Sequence, residues 1–259
     1  KHLKEFLFII ICISPLFIMS LVSNLVATPT EISYEGLDRK VLMLSNSFLL
    51  FFFLIPYFAV RKNRYYSMNL NRIKLLPIFL VIASTLFFII LNAPVIEWNK
   101  SVSFPEFMSS FESWALLKEK QLESLTIYLV SFDNNFEYLI GIIAIAIIPG
   151  FCEEFFFRGI LQKNLRQLIK NPHFAIIISS LLFSAFHLQF YGFFPRLFLG
   201  IFFGYLFYWS GSLIYPVIAH AFNNFLSLTV FYAATSGLFG DDFDLSVNSS
   251  PDIPLAVIV

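Results

Sequence analysis

Seven stretches of this chain are almost continuously apolar over the length a helix needs to cross a bilayer, and this constrains the fold before any single residue is considered. They are Phe6–Ala27, Val41–Val60, Leu75–Trp98, Tyr138–Phe157, Phe174–Phe190, Phe193–Trp209 and Leu213–Ala234. Crossing a hydrocarbon core takes roughly 20 helical residues. Lipid offers no hydrogen bonds to the backbone, so only helices and closed barrels span it. Barrel strands alternate polar and apolar residues, and these stretches do not. The predicted fold is therefore all-α: a polytopic membrane bundle of seven transmembrane helices.

Composition excludes the soluble alternative. The chain is 58% hydrophobic and 13% charged, against about 45–50% and about 25% in soluble domains. Its mean hydropathy is +0.77. Nucleic acid is excluded as a partner, because no basic stripe with interleaved aromatics appears on a polar face. Cys12 and Cys152 both lie in apolar stretches and form no CxxC or metal spacing, so no disulfide scaffold is present. The chain begins with Lys1 where Met would stand, and the true start is expected to be missing. The first stretch exceeds the roughly 7–15 residues of a signal h-region, and is read as a retained helix.

The charged residues between the stretches set orientation. Arg61, Lys62, Arg64, Arg72 and Lys74 follow the second stretch, and Arg158, Lys163, Arg166 and Lys170 follow the fourth, with no acid among either group. Glu31, Glu35 and Asp38 occupy the first connection, Glu97, Glu106, Glu112, Glu119 and Glu123 the long one, and Asp241, Asp242 and Asp244 the tail. Lys and Arg remain cytoplasmic, so the amino terminus is expected inside and the carboxyl terminus outside, in agreement with an odd number of crossings. A bacterial plasma membrane is the expected location. The organisation is then three helices in residues 1–98, an extracytoplasmic connection in 99–137, a four-helix core in 138–235 and an acidic tail in 236–259. Within the connection, Trp114, Leu116, Leu117, Leu122, Leu125 and Ile127 mix with Lys118, Glu119, Lys120 and Glu123. That pattern predicts an amphipathic helix lying on the membrane surface or capping the bundle.

An ionisable side chain at the bilayer centre costs at least about 2.5–3.5 kcal/mol, so such residues mark function by default. They cluster in the second half of the chain. Pro149-Gly150 precedes Glu153-Glu154, with Arg158 four residues beyond Glu154. The i,i+4 spacing puts Glu154 and Arg158 in register for an ion pair. Glu153 lies about 100° around the helix and is free to do chemistry. His187 sits late in its stretch, after the small residues Ser179, Ser180, Ser184 and Ala185, which permit close helix approach. His220 and Asn224 share one face of the last stretch, with Asn223 turned aside as a packing residue. Taken singly, each group also fits a structural role: a clamp at the helix end, a packed histidine, or interhelical hydrogen bonds.

Together they contain what hydrolysis requires. A carboxylate with a neighbouring histidine can activate water, and His and Asn can donate to a developing oxyanion. The alternative is a metal that activates the water, for which Glu153, His187 and His220 are candidate ligands. The cofactor is thus none or zinc.

The same residues resemble the CPBP intramembrane protease family, which includes type 2 CAAX prenyl proteases and bacteriocin-processing Abi proteins. Glu153-Glu154-x-x-x-Arg158, Phe183-x-x-x-His187 and His220-x-x-x-Asn224 occur in that family's order. Phe157-Arg158-Gly159-Ile160-Leu161-Gln162, Gly200-Ile201-Phe202-Phe203-Gly204 and Ser210-Gly211-Ser212-Leu213 are similar to its flanking text. The resemblance covers roughly Ile140 to Val230. It implies that Glu153 activates water with help from His187, that His220 and Asn224 stabilise the oxyanion, and that Glu154 and Arg158 support the site. It implies a peptide or lipidated-peptide substrate met among membrane lipids. With Arg158 at the inner interface, Glu153 would lie about 7–10 Å into the bilayer, in a cavity open to the cytoplasm. Two other functions fit intramembrane charge: a proton- or ion-coupled transporter subunit, and a non-catalytic immunity or scaffold protein on the same fold.

Overall fold

The computed structural model describes residues 38–41, 43 and 74–236. Among them all regular structure is helical, which agrees with the all-α expectation. In chain order the helices are α1 (Leu75–Lys100), α2 (Ser109–Val130, after a 3-10 turn at Glu106–Met108), α3 (Asn135–Ile169), α4 (Pro172–Phe186), α5 (Phe193–Ser210) and α6 (Ile214–Thr235). Three of them, α1, α3 and α6, are long and apolar enough to cross a membrane. The apolar helix α4 is shorter, at 15 residues. The expected stretch Phe6–Ala27 and nearly all of Val41–Val60 lie outside the described residues, as does the acidic tail beyond Ser236.

Local chemistry explains where the helices begin and end. Asn134 caps α3, its side chain accepting from the Phe136 and Glu137 amides. Asn171 does the same for α4, with Pro172 in the first turn, where its missing N–H costs nothing. Left-handed residues close two helices: Lys170 after α3 and Gly211 after α5.

Helix α3 is the axis of the site, and it is much longer than the predicted stretch Tyr138–Phe157. It runs for 35 residues and is wound in π form at Ile142–Ile147 and Phe155–Gln162. Such π segments widen the backbone and recur at functional sites. Pro149 lies between them. It has no N–H to donate to the carbonyl four residues back, which is Ile145 O. That oxygen instead accepts from Asn224 Nδ2 of α6, at 3.3 Å.

Gly150 permits the close approach of α6. A Cβ there would lie 2.8 Å from the Ala221 backbone nitrogen and 3.1 Å from its Cα. Backbone cannot rotate away as a side chain does. Gly150→Ala is therefore expected to lower stability by about 1–3 kcal/mol and to displace His220, the residue before Ala221. A denaturation curve in detergent checks this, and a mutant as stable as the parent would contradict the packing.

On the other side of α3, α4 and α5 meet through small residues. A Cβ on Gly200 would sit 3.0 Å from Ser180 Cβ, and one on Gly204 2.7 Å from Ile176 Cγ2. The closeness also leaves two carbonyls open to α3: Arg158 Nη2 donates to Gly200 O at 2.7 Å and Gln162 Nε2 to Gly204 O at 3.1 Å.

The polar residues of α1 have a purpose of their own. Asn99 Nδ2 donates to Phe190 O and Asn99 Oδ1 accepts from the Phe194 amide, while Asn92 Nδ2 donates to Pro195 O. Two asparagines thus fasten the turn between α4 and α5 to α1.

Candidate functional site

The centre is a buried chain of charge. Glu154 Oε1 accepts from Arg158 Nη1 at 2.7 Å and from His220 Nδ1 at 2.9 Å. Glu154 and Arg158 are both fully buried, and His220 is 3% exposed. The i,i+4 pairing expected for Glu154 and Arg158 is present. Helix α3 continues eleven residues beyond Arg158 to Ile169, about 16 Å of helix. Arg158 is packed inside the bundle, its guanidinium 4.8 Å from the Phe183 ring centre and 5.5 Å from that of Phe203. The carboxylate, the Gly200 carbonyl and two aromatic faces make this interior position tolerable.

Around Glu154 the aromatics hold His220 in one orientation. Its ring stacks on Phe203, 5.0 Å between centres, and meets the edge of Phe183 at 5.9 Å. The Phe183 ring also lies 5.0 Å from that of His187. His187 caps the end of α4, and its Nδ1 donates to Phe183 O at 2.8 Å. This hydrogen bond is the physical content of the Phe-x-x-x-His spacing. Leu188, next in the chain, adopts a left-handed backbone with φ 54°, an unusual conformation for a bulky residue. It ends the helix at His187.

Both histidines therefore commit Nδ1, one to a carboxylate and one to a backbone carbonyl. In each, Nε2 is the nitrogen left for chemistry.

Glu153 is placed differently from its neighbour. It is partly buried, with Oε2 enclosed and without a hydrogen-bond partner among the described residues. Glu154 Oε2 is likewise enclosed and unpartnered there. The charged groups that act on Glu153 are His220, Glu154, Arg158 and Arg196, and those that act on His187 are Arg196 and His220. Glu153 and His187 thus each lie within electrostatic reach of His220 and of Arg196. Asn224 lies one turn further along α6. Its Nδ2 donates to Ile145 O and its Oδ1 accepts from Asn223, which leaves its second amide hydrogen for another acceptor. Asn223 bonds to its neighbour Asn224, as a packing residue would.

Glu153, His187 and His220 are not drawn together as a metal would require. Among the described residues no three His, Cys, Asp or Glu side chains are grouped closely enough to hold an ion. Buried polar atoms are ordinarily hydrogen-bonded, so the two enclosed carboxylate oxygens without partners among the described residues need a donor.

Arg196 is a buried charge that sequence reasoning did not single out. It is 2% exposed on α5, its charge acts on Glu153, and its Nη2 donates to Gln189 Oε1. Gln189 Nε2 in turn donates to Glu119 of α2 at 3.2 Å. Burial raises the Glu119 carboxyl above the usual carboxylate range, while the Arg196 charge pulls it the other way. This polar chain runs to the α2 end of the bundle.

Residues 135–226 match the family model described as Type II CAAX prenyl endopeptidase Rce1-like. The match is to the family that the three motifs resemble. It takes in α3, α4, α5 and most of α6, and so every residue of the Glu153–Asn224 constellation. The Rce1-like segment covers less than half of the chain; α1 and α2, which carry Asn92, Asn99 and Glu119, lie outside it. No curated protein and no solved structure matches the chain.

Proposed function

We propose that this protein is an intramembrane endopeptidase that hydrolyses a peptide bond of a lipidated or membrane-associated peptide. The observation that carries the reading is Glu153: an enclosed carboxylate oxygen with no partner among the described residues, next in the chain to Glu154, which holds the Nδ1 of His220. The Rce1-like match supports the reaction class and the choice of a peptide as substrate.

In the proposed mechanism Glu153 accepts a proton from a water held between its Oε2 and the scissile carbonyl. The hydroxide formed adds to the carbonyl carbon, and its electron pair becomes the new C–O bond. Glu154 holds His220 through Nδ1, and in the protonated ring Nε2–H donates to the oxyanion. The remaining Asn224 amide hydrogen donates beside it. His187 positions the water through Nε2. As the tetrahedral intermediate collapses, the C–N bond breaks and Glu153 returns its proton to the leaving amine.

The test is cleavage of a prenylated peptide with a free carboxyl terminus by the purified full chain in proteoliposomes, run in 18O-labelled water. One labelled oxygen is expected in the newly formed carboxylate of the acyl product, and none in the released amine fragment. Treatment with a chelator and extensive dialysis is expected to leave the rate unchanged, because no ion is required. Loss of activity on chelation with recovery on adding zinc would favour the metal mechanism. Absence of any cleavage, together with ion flux across the vesicle, would favour the transporter.

A further inference from the structure

Packing sorts the charges of this chain by end of the bundle. Asn99, near the close of α1, bonds to Phe190 and Phe194 of the α4–α5 turn. The start of α1, at Lys74, therefore lies beside the opposite ends of α4 and α5, where Ile78, Leu206 and Ile214 pack against one cluster. Helix α3 stops and α4 begins at that same end. It carries Lys74, Lys163, Arg166, Lys170 and His173. No acidic side chain joins them among the described residues. The chain has no Asp or Glu between Glu154 and Asp241, and the acids of α1 and α2, with Asp133 and Glu137, belong to the other end.

The last turns of α5 form an aromatic rack for these cations. Lys163 Nζ lies 5.3 Å from the Phe207 ring centre, and the Arg166 guanidinium 5.4 Å from that of Tyr208. His173 Nδ1 hydrogen-bonds the Tyr205 hydroxyl at 2.8 Å, and Tyr205 lies 4.8 Å from Trp209, centre to centre. Groups from α3 and α4 are thus held side by side. The Lys170 amide donates to Arg166 O at 2.9 Å, which keeps those two residues together where α3 ends. Both are exposed, and neither has an ion-pair partner among the described residues.

Apolar side chains stand open beside the cations: Leu75 is 87% exposed, Trp209 74% and Phe174 58%. A small soluble anion gains nothing from such a border. A phospholipid does, because its acyl chains cover the apolar side chains while its phosphate meets the cations. Tyrosine and tryptophan are also at home at headgroup depth.

We propose that the joint between α3 and α4, with the last turns of α5, binds the headgroup phosphate of an anionic phospholipid through Arg166 and Lys170. Arg166 presents a planar fork of donors to the phosphate oxygens, and Lys170 a compact charge. Tyr208 holds the Arg166 guanidinium in place from below. About 20 Å of helix separates Arg166 from Glu153, so the lipid anchors α3 without entering the site there.

The experiment is native mass spectrometry of the full chain in neutral detergent, titrated with phosphatidylglycerol or with phosphatidylcholine. Phosphatidylglycerol is expected to bind more tightly, and its binding should weaken as sodium chloride is raised. An Arg166→Gln, Lys170→Gln double variant should lose about 25-fold in affinity for phosphatidylglycerol, about fivefold for each basic residue removed from an anionic surface, and keep its affinity for phosphatidylcholine. A Lys118→Gln, Lys120→Gln double variant removes the same charge from α2, and its affinity should match the parent's. The salt series on the parent carries the test if the first variant does not fold.

Equal affinity of the parent for the two lipids, or binding indifferent to salt, would overturn the proposal. So would equal losses in the two double variants, which would reduce the effect to net charge. Full competition by inorganic phosphate at the same concentration as the lipid would assign the residues to a free anion instead. Lipid binding is read without catalysis, so any of these failures leaves the protease reading as it stands.

Discussion

Glu153→Gln is expected to lower kcat for peptide cleavage by about 10²–10⁴-fold, the range a positioned general base contributes, with no loss of stability. The amide keeps the shape of the carboxylate but cannot take a proton from water. The structure explains why stability should survive. Glu153 Oε2 has no partner among the described residues, so the substitution breaks no hydrogen bond there. Single-turnover kinetics beside a melting curve provide the measurement. A Glu153→Gln variant that cleaves at the parental rate would remove the base from the mechanism, and the scaffold or transporter reading would regain its standing.

The opposite pattern is expected one residue away. Glu154→Gln should lower stability by about 3–5 kcal/mol, the cost of leaving one member of a buried ion pair uncompensated. Arg158 is fully buried, and the second group it donates to is the neutral Gly200 carbonyl. The same substitution deprives His220 of the carboxylate that holds its Nδ1, so activity should fall as well. A Glu154→Leu, Arg158→Met double variant should recover much of the stability, because removing both partners avoids the stranded charge. Its activity should stay low, since His220 has then lost its anchor. Denaturation in detergent separates the cases. Equal stability of Glu154→Gln and the parent would show that the Arg158–Glu154 pair is not what keeps α3 in the bundle. The adjacent glutamates would then differ less than their surroundings indicate.

The different surroundings of these two glutamates are legible in the sequence because they depend on helical geometry alone. An i,i+4 spacing joins Glu154 to Arg158, and a 100° step turns Glu153 elsewhere. The same logic finds His220 and Asn224 on one face. It does not find that Asn224 answers a carbonyl released by Pro149, although the count of four residues back to Ile145 is there to be made. That pairing depends on α6 packing against one particular turn of α3. An interface is the economical place for an arginine considered without its partners, because unpaired charge is costly in lipid. Paired with Glu154 and covered by Phe183 and Phe203, Arg158 lies inside. Arg196 escapes the sequence for a related reason: nothing within its own helix accounts for it, and the groups around it come from the preceding turn, from α2 and from α3.

The sequence by itself determined the helical class and the identity of the polar groups that would meet, because burying a backbone in lipid and placing charge on a helix face are local matters. Only the tertiary structure decided which partners those groups take. The close approach at Gly150, the turn held by Asn92 and Asn99, and the link from Glu119 through Gln189 to Arg196 join residues tens of positions apart. No periodicity encodes such distances; they follow from which helices pack together.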